Sequence, residues 1–240
     1  MQDALVFGGQ NSLDFLEIRL GVLRIPEVSV KLEEAQKIWD AHCRTSFSFV
    51  HFLASEDRTF FNNINLKSLS LAVVQLGLLT RFNRLFRAPK YLVGNTQNDS
   101  SLMVAAGKMK LEELILNSQA CHMVRPMAPI QALPSALPDT MLKGRTLAQY
   151  QAYEAQPSGE GMVYNPVGTS DMNMESVLFR LVEGHDIKKI IHIGPGAMDA
   201  NLISEDYRVR DVQIFESIDI DPMLGWFWQG LRKHDTAAVI

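Results

Sequence analysis

Four short apolar runs, at residues 4–7, 91–93, 189–193 and 212–215, do most to narrow the fold, each being bounded by Gly, Pro or acidic residues. Runs of this length with such flanks read as buried strands, and helical patterns fill the intervals between them. Strands that alternate with helices imply an α/β chain with a parallel sheet covered by helices. The spacing predicts a helix over 30–42 with Ser29 as its N-cap, and another over 68–86 stopped by Pro89. The second is nearly apolar all round for its first three turns, which suits a helix inside the core rather than on its rim. Further helices are expected over 101–106, ended by Gly107, over 110–122, and over 171–183 with Gly184 just past its end. Between 125 and 138, Pro126, Pro129, Pro134 and Pro138 exclude a regular helix and imply an extended connector.

Composition narrows the class. At 240 residues and 47% hydrophobic, the chain can bury roughly 70% of its unfolded surface in one core, so disordered and collagen-like classes are excluded. A net charge of −4 leaves no positive field to gather phosphates, which argues against nucleic acid as a partner. Cys43 and Cys121 stand far apart outside any C-x-x-C spacing, so the expectation is two free, buried thiols in a reducing compartment and no zinc site. The apolar stretch 69–79 is interrupted by Ser70, Gln75 and Gly77 and is too short to span a bilayer. No membrane association and a cytoplasmic location are the expectations.

Three loops, in order, resemble the malonyl-CoA:acyl carrier protein transacylase family, the acyltransferase domains of fatty acid and polyketide synthases. Leu5-Val6-Phe7-Gly8-Gly9-Gln10-Asn11-Ser12 is similar to the family's opening strand and P-G-Q-G-S-Q loop. Val93-Gly94-Asn95-Thr96-Gln97-Asn98, continuing through Gly107, is similar to the G-H-S-L-G-E segment and its trailing helix. Tyr164-Asn165-Pro166-Val167, followed by His192-Ile193-Gly194-Pro195-Gly196, is similar to the Y-N-P-V and E-[IV]-G-P-G elements. The resemblance implies an α/β hydrolase-like acyltransferase core with flanking helices. It follows residues 4 to about 120 and about 160 to 200; over 201–240 it amounts to a strand plus a helix. The family's small ferredoxin-like subdomain would have only residues 121–159, about forty positions, to occupy, so it is expected to be missing or reduced to the proline-rich connector of a single domain spanning 1–240.

The chemistry implied by the resemblance needs a hydroxyl on a strained elbow, an imidazole to take its proton and backbone N–H groups for the oxyanion. Here Thr96 stands at the nucleophile position, and a β-branched residue tolerates elbow strain poorly. Where the family has its catalytic histidine, in a P-S-H run, this chain has Pro134-Ser135-Ala136. Its six histidines, His42, His51, His122, His185, His192 and His234, fall at no family catalytic position, and His192 is expected as a packed or solvent-facing strand residue. Cys121 stands where the family places the arginine that clamps the malonyl carboxylate. Gln10 and the backbone N–H of Gln97 match the oxyanion donors, although Gly8, Gly9 and Gln10 also make the turn out of the first strand whatever the function. Gly94, Gly194 and Gly196 are read as backbone geometry.

These readings give Gln10, Asn11, Thr96, Gln97 and Asn165 as candidate substrate-binding residues, with no intact catalytic set, no cofactor and no metal. Glu216, Asp219 and Asp221 read as an acidic strand end rather than a metal site, and Trp226, Phe227 and Trp228 as anchors of a last helix or a partner-facing patch. The function implied is that of an inactive relative that binds acyl carrier protein, a CoA thioester or a partner synthase. The alternative is an active acyltransferase or thioester hydrolase using Thr96.

Overall fold

The computed structural model describes residues 2–86, 89, 91–94, 99–122, 151–154, 162–165, 182, 187–196, 212–221 and 225–228. For Gln2, Gln10, Asn11, His122 and residues 151–154, 162–165, 216–221 and 225–228 the description is of the backbone alone. The expected α/β architecture is present. The strands are β1 (Gln2–Phe7), β2 (Tyr91–Val93), β3 (Gln151–Glu154), β4 (Met162–Asn165), β5 (Ile187–Ile193), β6 (Gln213–Asp221) and β7 (Gly225–Trp228). They form one sheet in the order β3-β4-β2-β1-β5-β6-β7. The pairs from β4 through β6 are parallel, and β3 and β7 are antiparallel edges.

The helices are α1 (Leu16–Leu23), α2 (Pro26–His42), α3 (Phe49–Ala54), α4 (Arg58–Phe61), α5 (Ile64–Leu85), α6 (Ser100–Ala105), α7 (Leu111–Asn117) and α8 (Gln119–His122). Local chemistry sets several starts. Asp57, Asn63 and Asp99 cap α4, α5 and α6 by accepting hydrogen bonds from first-turn amides. The start expected at Ser29 is corrected: α2 begins at Pro26, whose fixed φ and missing N–H suit the first helical position, and the Ser29 hydroxyl donates to the Leu23 carbonyl instead. The single helix expected over 110–122 is two, broken at Ser118, whose hydroxyl accepts from Cys121 N and donates to the Ile115 carbonyl.

Register divides the sheet into two faces. Leu5, Phe7, Leu92, Ile191, Ile193 and Phe215 lie across from one another and pack into the helical layer. Ala4, Val6, Tyr91, Val93, Ile190 and His192 occupy the other face and are equally buried. α5 is the interior helix expected, with every residue from Leu69 to Leu79 buried. It crosses α2 so closely that a Cβ on Gly77 would lie 2.6 Å from Val28 Cα. Trp39, Phe47, Phe49, Phe52, Phe60 and Phe61 form a connected aromatic cluster beneath α2 and α3. Beside it, the buried Arg19 guanidinium donates to the carbonyls of Leu53, Leu13 and Ser55 at 2.9, 3.1 and 2.7 Å and lies 3.8 Å from the centre of the Phe61 ring.

Three further expectations are corrected. Cys43 and Cys121 are not free thiols but a disulfide, with Cα atoms 5.4 Å apart, which joins the end of α2 to α8. Helix packing brings together two residues 78 apart in sequence, a proximity that no local spacing announces. Trp226, Phe227 and Trp228 stand on the edge strand β7, not on a helix, and Glu216, Asp219 and Asp221 lie within β6 rather than after it. The proline-rich segment 125–138 and most of the helix expected at 171–183 lie outside the described residues.

Candidate functional site

β4, β2, β1 and β5 are parallel, so Asn165, Val93, Phe7 and Ile193 end at one edge of the sheet. The chain leaves β1 towards β2 on one side and leaves β5 towards β6 on the other. Neighbouring strands whose connections diverge open a crevice at their C-terminal ends, the usual place for a ligand in an open α/β sheet.

Three strand ends, two of them followed by described turns, surround that crevice. After β1, Gly8 N continues the ladder to the Ile193 carbonyl at 2.8 Å, and a 3-10 turn follows over Gln10–Leu13. A Cβ on Gly8 would sit 2.8 Å from Ser12 Oγ and 3.0 Å from His192 Nε2, so the backbone itself fills the space between these side chains. After β5, Gly194–Pro195 is a cis peptide and Gly196 has φ +88°, a left-handed conformation that favours glycine. After β2, Gly94 packs directly on Asp99 and Leu102 of the α6 start. The glycines expected as backbone geometry thus have a steric reason here.

A buried polar bridge lies under these turns. Gln75, in the interior of α5, donates from Nε2 to the Gly8 carbonyl at 2.8 Å, and the same atom is 3.5 Å from the Ile193 carbonyl. Its Oε1 accepts from Ser101 Oγ of α6 at 2.5 Å. Both side chains are 2% exposed, so water does not stand in for these partners. His192 is 4% exposed on the opposite face, and burial pushes its imidazole down to about 4 from the ordinary 6.5, opposed by a hydrogen bond to the Gly196 backbone.

Ser100, the first residue of α6, places a further space near the same edge of the sheet. There a cavity of about 200 Å³ opens between α5, α6, α7 and α8. Its polar lining is Asn65, Ser68, Ser100, Asn117, Ser118 and Gln119, and none of its described lining residues is charged. Two residues past Gln119, Cys121 is held in the disulfide with Cys43.

Of the candidates from sequence, Gln10 and Asn11 begin the 3-10 turn and Asn165 ends β4, so the backbone of all three is at this edge. Thr96 and Gln97, with Asn95 and Asn98, lie outside the described residues, although Gly94 and Asp99 on either side of them are at the edge. Ala136, His185 and His234 also lie outside. His192 is a strand residue as expected and, of the two placements left open, is packed rather than solvent-facing. Gln75 and Ser101 were missed as site residues; the available signal was a carboxamide within an otherwise apolar interior helix, which burial obliges to find hydrogen-bond partners. Among the described residues no group of three or more His, Cys, Asp or Glu is placed to hold a metal ion, and no helix is long and apolar enough to cross a membrane.

No protein-family model matches the chain, and no curated protein sequence matches it. Solved structures do. The chain is similar to a malonyl-CoA:acyl carrier protein transacylase from Clostridium perfringens, at 10% identity and TM-score 0.62, over 99% of both chains. It is similar to an acyl-carrier-protein S-malonyltransferase from Burkholderia pseudomallei, at 14% identity and TM-score 0.58, over 90% of this chain and 96% of the other. A Synechocystis transacylase matches over only 51% of this chain and 39% of its own length, at TM-score 0.42. These proteins are of the family that the three loops resemble, and the fold is theirs.

Proposed function

We propose that this chain uses a transacylase fold to bind an acyl carrier protein or a CoA thioester, without transferring the acyl group, and so serves a partner synthase. The observation that carries the reading is the disulfide at Cys121. Where the resemblance places a cation for the malonyl carboxylate, this chain has a sulfur bonded to Cys43, and the cavity beside it has an uncharged described lining. Such a pocket offers amides and hydroxyls to a neutral acyl or pantetheine group and no bidentate partner to a dicarboxylate. His192, buried beside Gly8, has an imidazole too weakly basic to serve as the missing general base at neutral pH. The expected connector 121–159 is narrower than its bounds, because α8 reaches His122 and β3 occupies Gln151–Glu154; in this reading the residues between them link parts of one domain in place of a small subdomain. The cytoplasmic location expected from free thiols loses that support, because a persistent disulfide belongs to an oxidising compartment.

Calorimetric titration with CoA and with pantetheinylated acyl carrier protein tests the reading. Saturable binding to either, with the thioester of an acylated ligand left intact, is the expected result. Absence of binding to both, or steady hydrolysis or transfer of the acyl group, would overturn it.

A further inference from the structure

We propose that Gln75 and Ser101 are positioning residues that lock the turn after β1 to the start of α6, so that the two sides of the crevice are set as one unit. This inference rests on the binding site proposed above and assigns the device that keeps it in shape.

The peptide between Gly8 and Gly9 is planar, so fixing the direction of the Gly8 carbonyl also fixes the Gly9 N–H, which points the opposite way. Gln75 Nε2 holds that carbonyl at 2.8 Å and lies 3.5 Å from the Ile193 carbonyl at the end of β5. Its other amide atom, Oε1, is held by Ser101 Oγ at 2.5 Å. A carboxamide has a donor end and an acceptor end, and each is engaged by a different element. Ser101 is the second residue of α6, whose cap Asp99 accepts from Leu102 N at 3.0 Å and packs against Gly94 at the end of β2. A continuous buried path therefore runs from the β1 turn through α5 to α6 and Gly94 at the end of β2. If the first turn shifts, the Gly8 carbonyl and the Ser101 hydroxyl lose their partners together, which makes the shift cooperative with α6.

Packing alone would not need this chemistry, because a methionine fills the volume of Gln75. Gln75→Met removes both hydrogen bonds at nearly constant shape, and Ser101→Ala removes only one. Amide hydrogen exchange, followed residue by residue without ligand, is the primary measurement, with α2 amides from Leu32 to Trp39 as the reference for global opening. Gln75→Met is expected to speed exchange at Ser12 and at Leu102 through Ala106 by tenfold or more beyond any change in α2, and Ser101→Ala to do so less at the same amides. The double variant should be no faster than Gln75→Met alone. CoA affinity should weaken in the same order, again by about tenfold for Gln75→Met. Acceleration shared equally by α2, or no acceleration at Ser12 and Leu102, would overturn the inference and reduce the pair to ordinary core residues. If the unaltered protein fails to bind CoA, the binding reading falls, whereas the exchange result still decides whether the bridge locks the two turns.

Discussion

The helical layer and the C-terminal edge of the sheet are both shut away from water, but by different means. In the layer, α2 and α5 meet mainly through apolar side chains and a glycine, with Glu27 of α2 paired to Arg81 and Arg84 of α5 and the Arg19 guanidinium buried beside the aromatic cluster around Trp39 and Phe52. At the edge the buried groups are Gln75, Ser101, Asp99 and His192. Apolar burial is non-directional and supplies most of the free energy of folding; buried polar groups add less, yet each accepts few partners in few directions. A layer of the first kind stabilises the chain, and an edge of the second kind sets the β1 turn against the start of α6. Substitutions in the layer should therefore lower stability and leave the crevice as it is, whereas those at the edge should alter the crevice by more than their cost in stability suggests.

The largest effect expected in the layer comes from the covalent link. Replacing both cysteines, Cys43→Ser with Cys121→Ser, reopens a loop of 78 residues, and the chain-entropy relation puts the loss at up to about 4.5 kcal/mol. Urea unfolding under non-reducing conditions should show it, with the exchange rate at Ser12 unchanged relative to α2. A larger local change at Ser12 would break the contrast between the two regions.

A smaller effect, of about 3 kcal/mol, belongs to the edge. His192 stays neutral in the folded chain down to about pH 4, but an unfolded imidazole titrates near 6.5. Between these values the unfolded chain binds more protons, so the His192 contribution is fully present above pH 6.5 and is lost as the pH falls towards 4. The difference in stability between the protein and its His192→Gln variant, followed across that window, should show the slope only in the protein with histidine. An equal slope in both would assign the acid sensitivity elsewhere.

Smaller again is Gly77→Ala, at about 1–3 kcal/mol of destabilisation. The added methyl would fall 2.6 Å from Val28 Cα, a backbone atom that cannot swing aside, and the resulting strain should outweigh alanine's better helix propensity. Thermal unfolding checks it. A stabilised variant would mean that α2 and α5 separate more readily than their packing implies.

Sequence conveyed the layer better than the edge. β2 matched residue for residue, and β1 and β5 were each found two residues short at their start, because apolar runs between Gly, Pro and acidic flanks carry their own punctuation. α5 was legible because an all-round apolar pattern of that length suits only an interior helix. α1, α3 and α4 were missed, being too short to establish a helical period, and β3, β4 and β7, four residues each, too short to show alternation. Of the site, the glycine turns were read from the resemblance of the three loops. The Gln75–Ser101 bridge and the disulfide could not be read in this way, since each joins residues 26 or more apart whose proximity arises only from helix packing.

The most direct test of binding without chemistry is intact-mass measurement after incubation with malonyl-CoA or acetyl-CoA, alongside the Thr96→Ala variant. The account predicts one unmodified mass for both proteins and an undiminished thioester pool. An acyl adduct that forms on the unaltered chain and is absent from Thr96→Ala would contradict it.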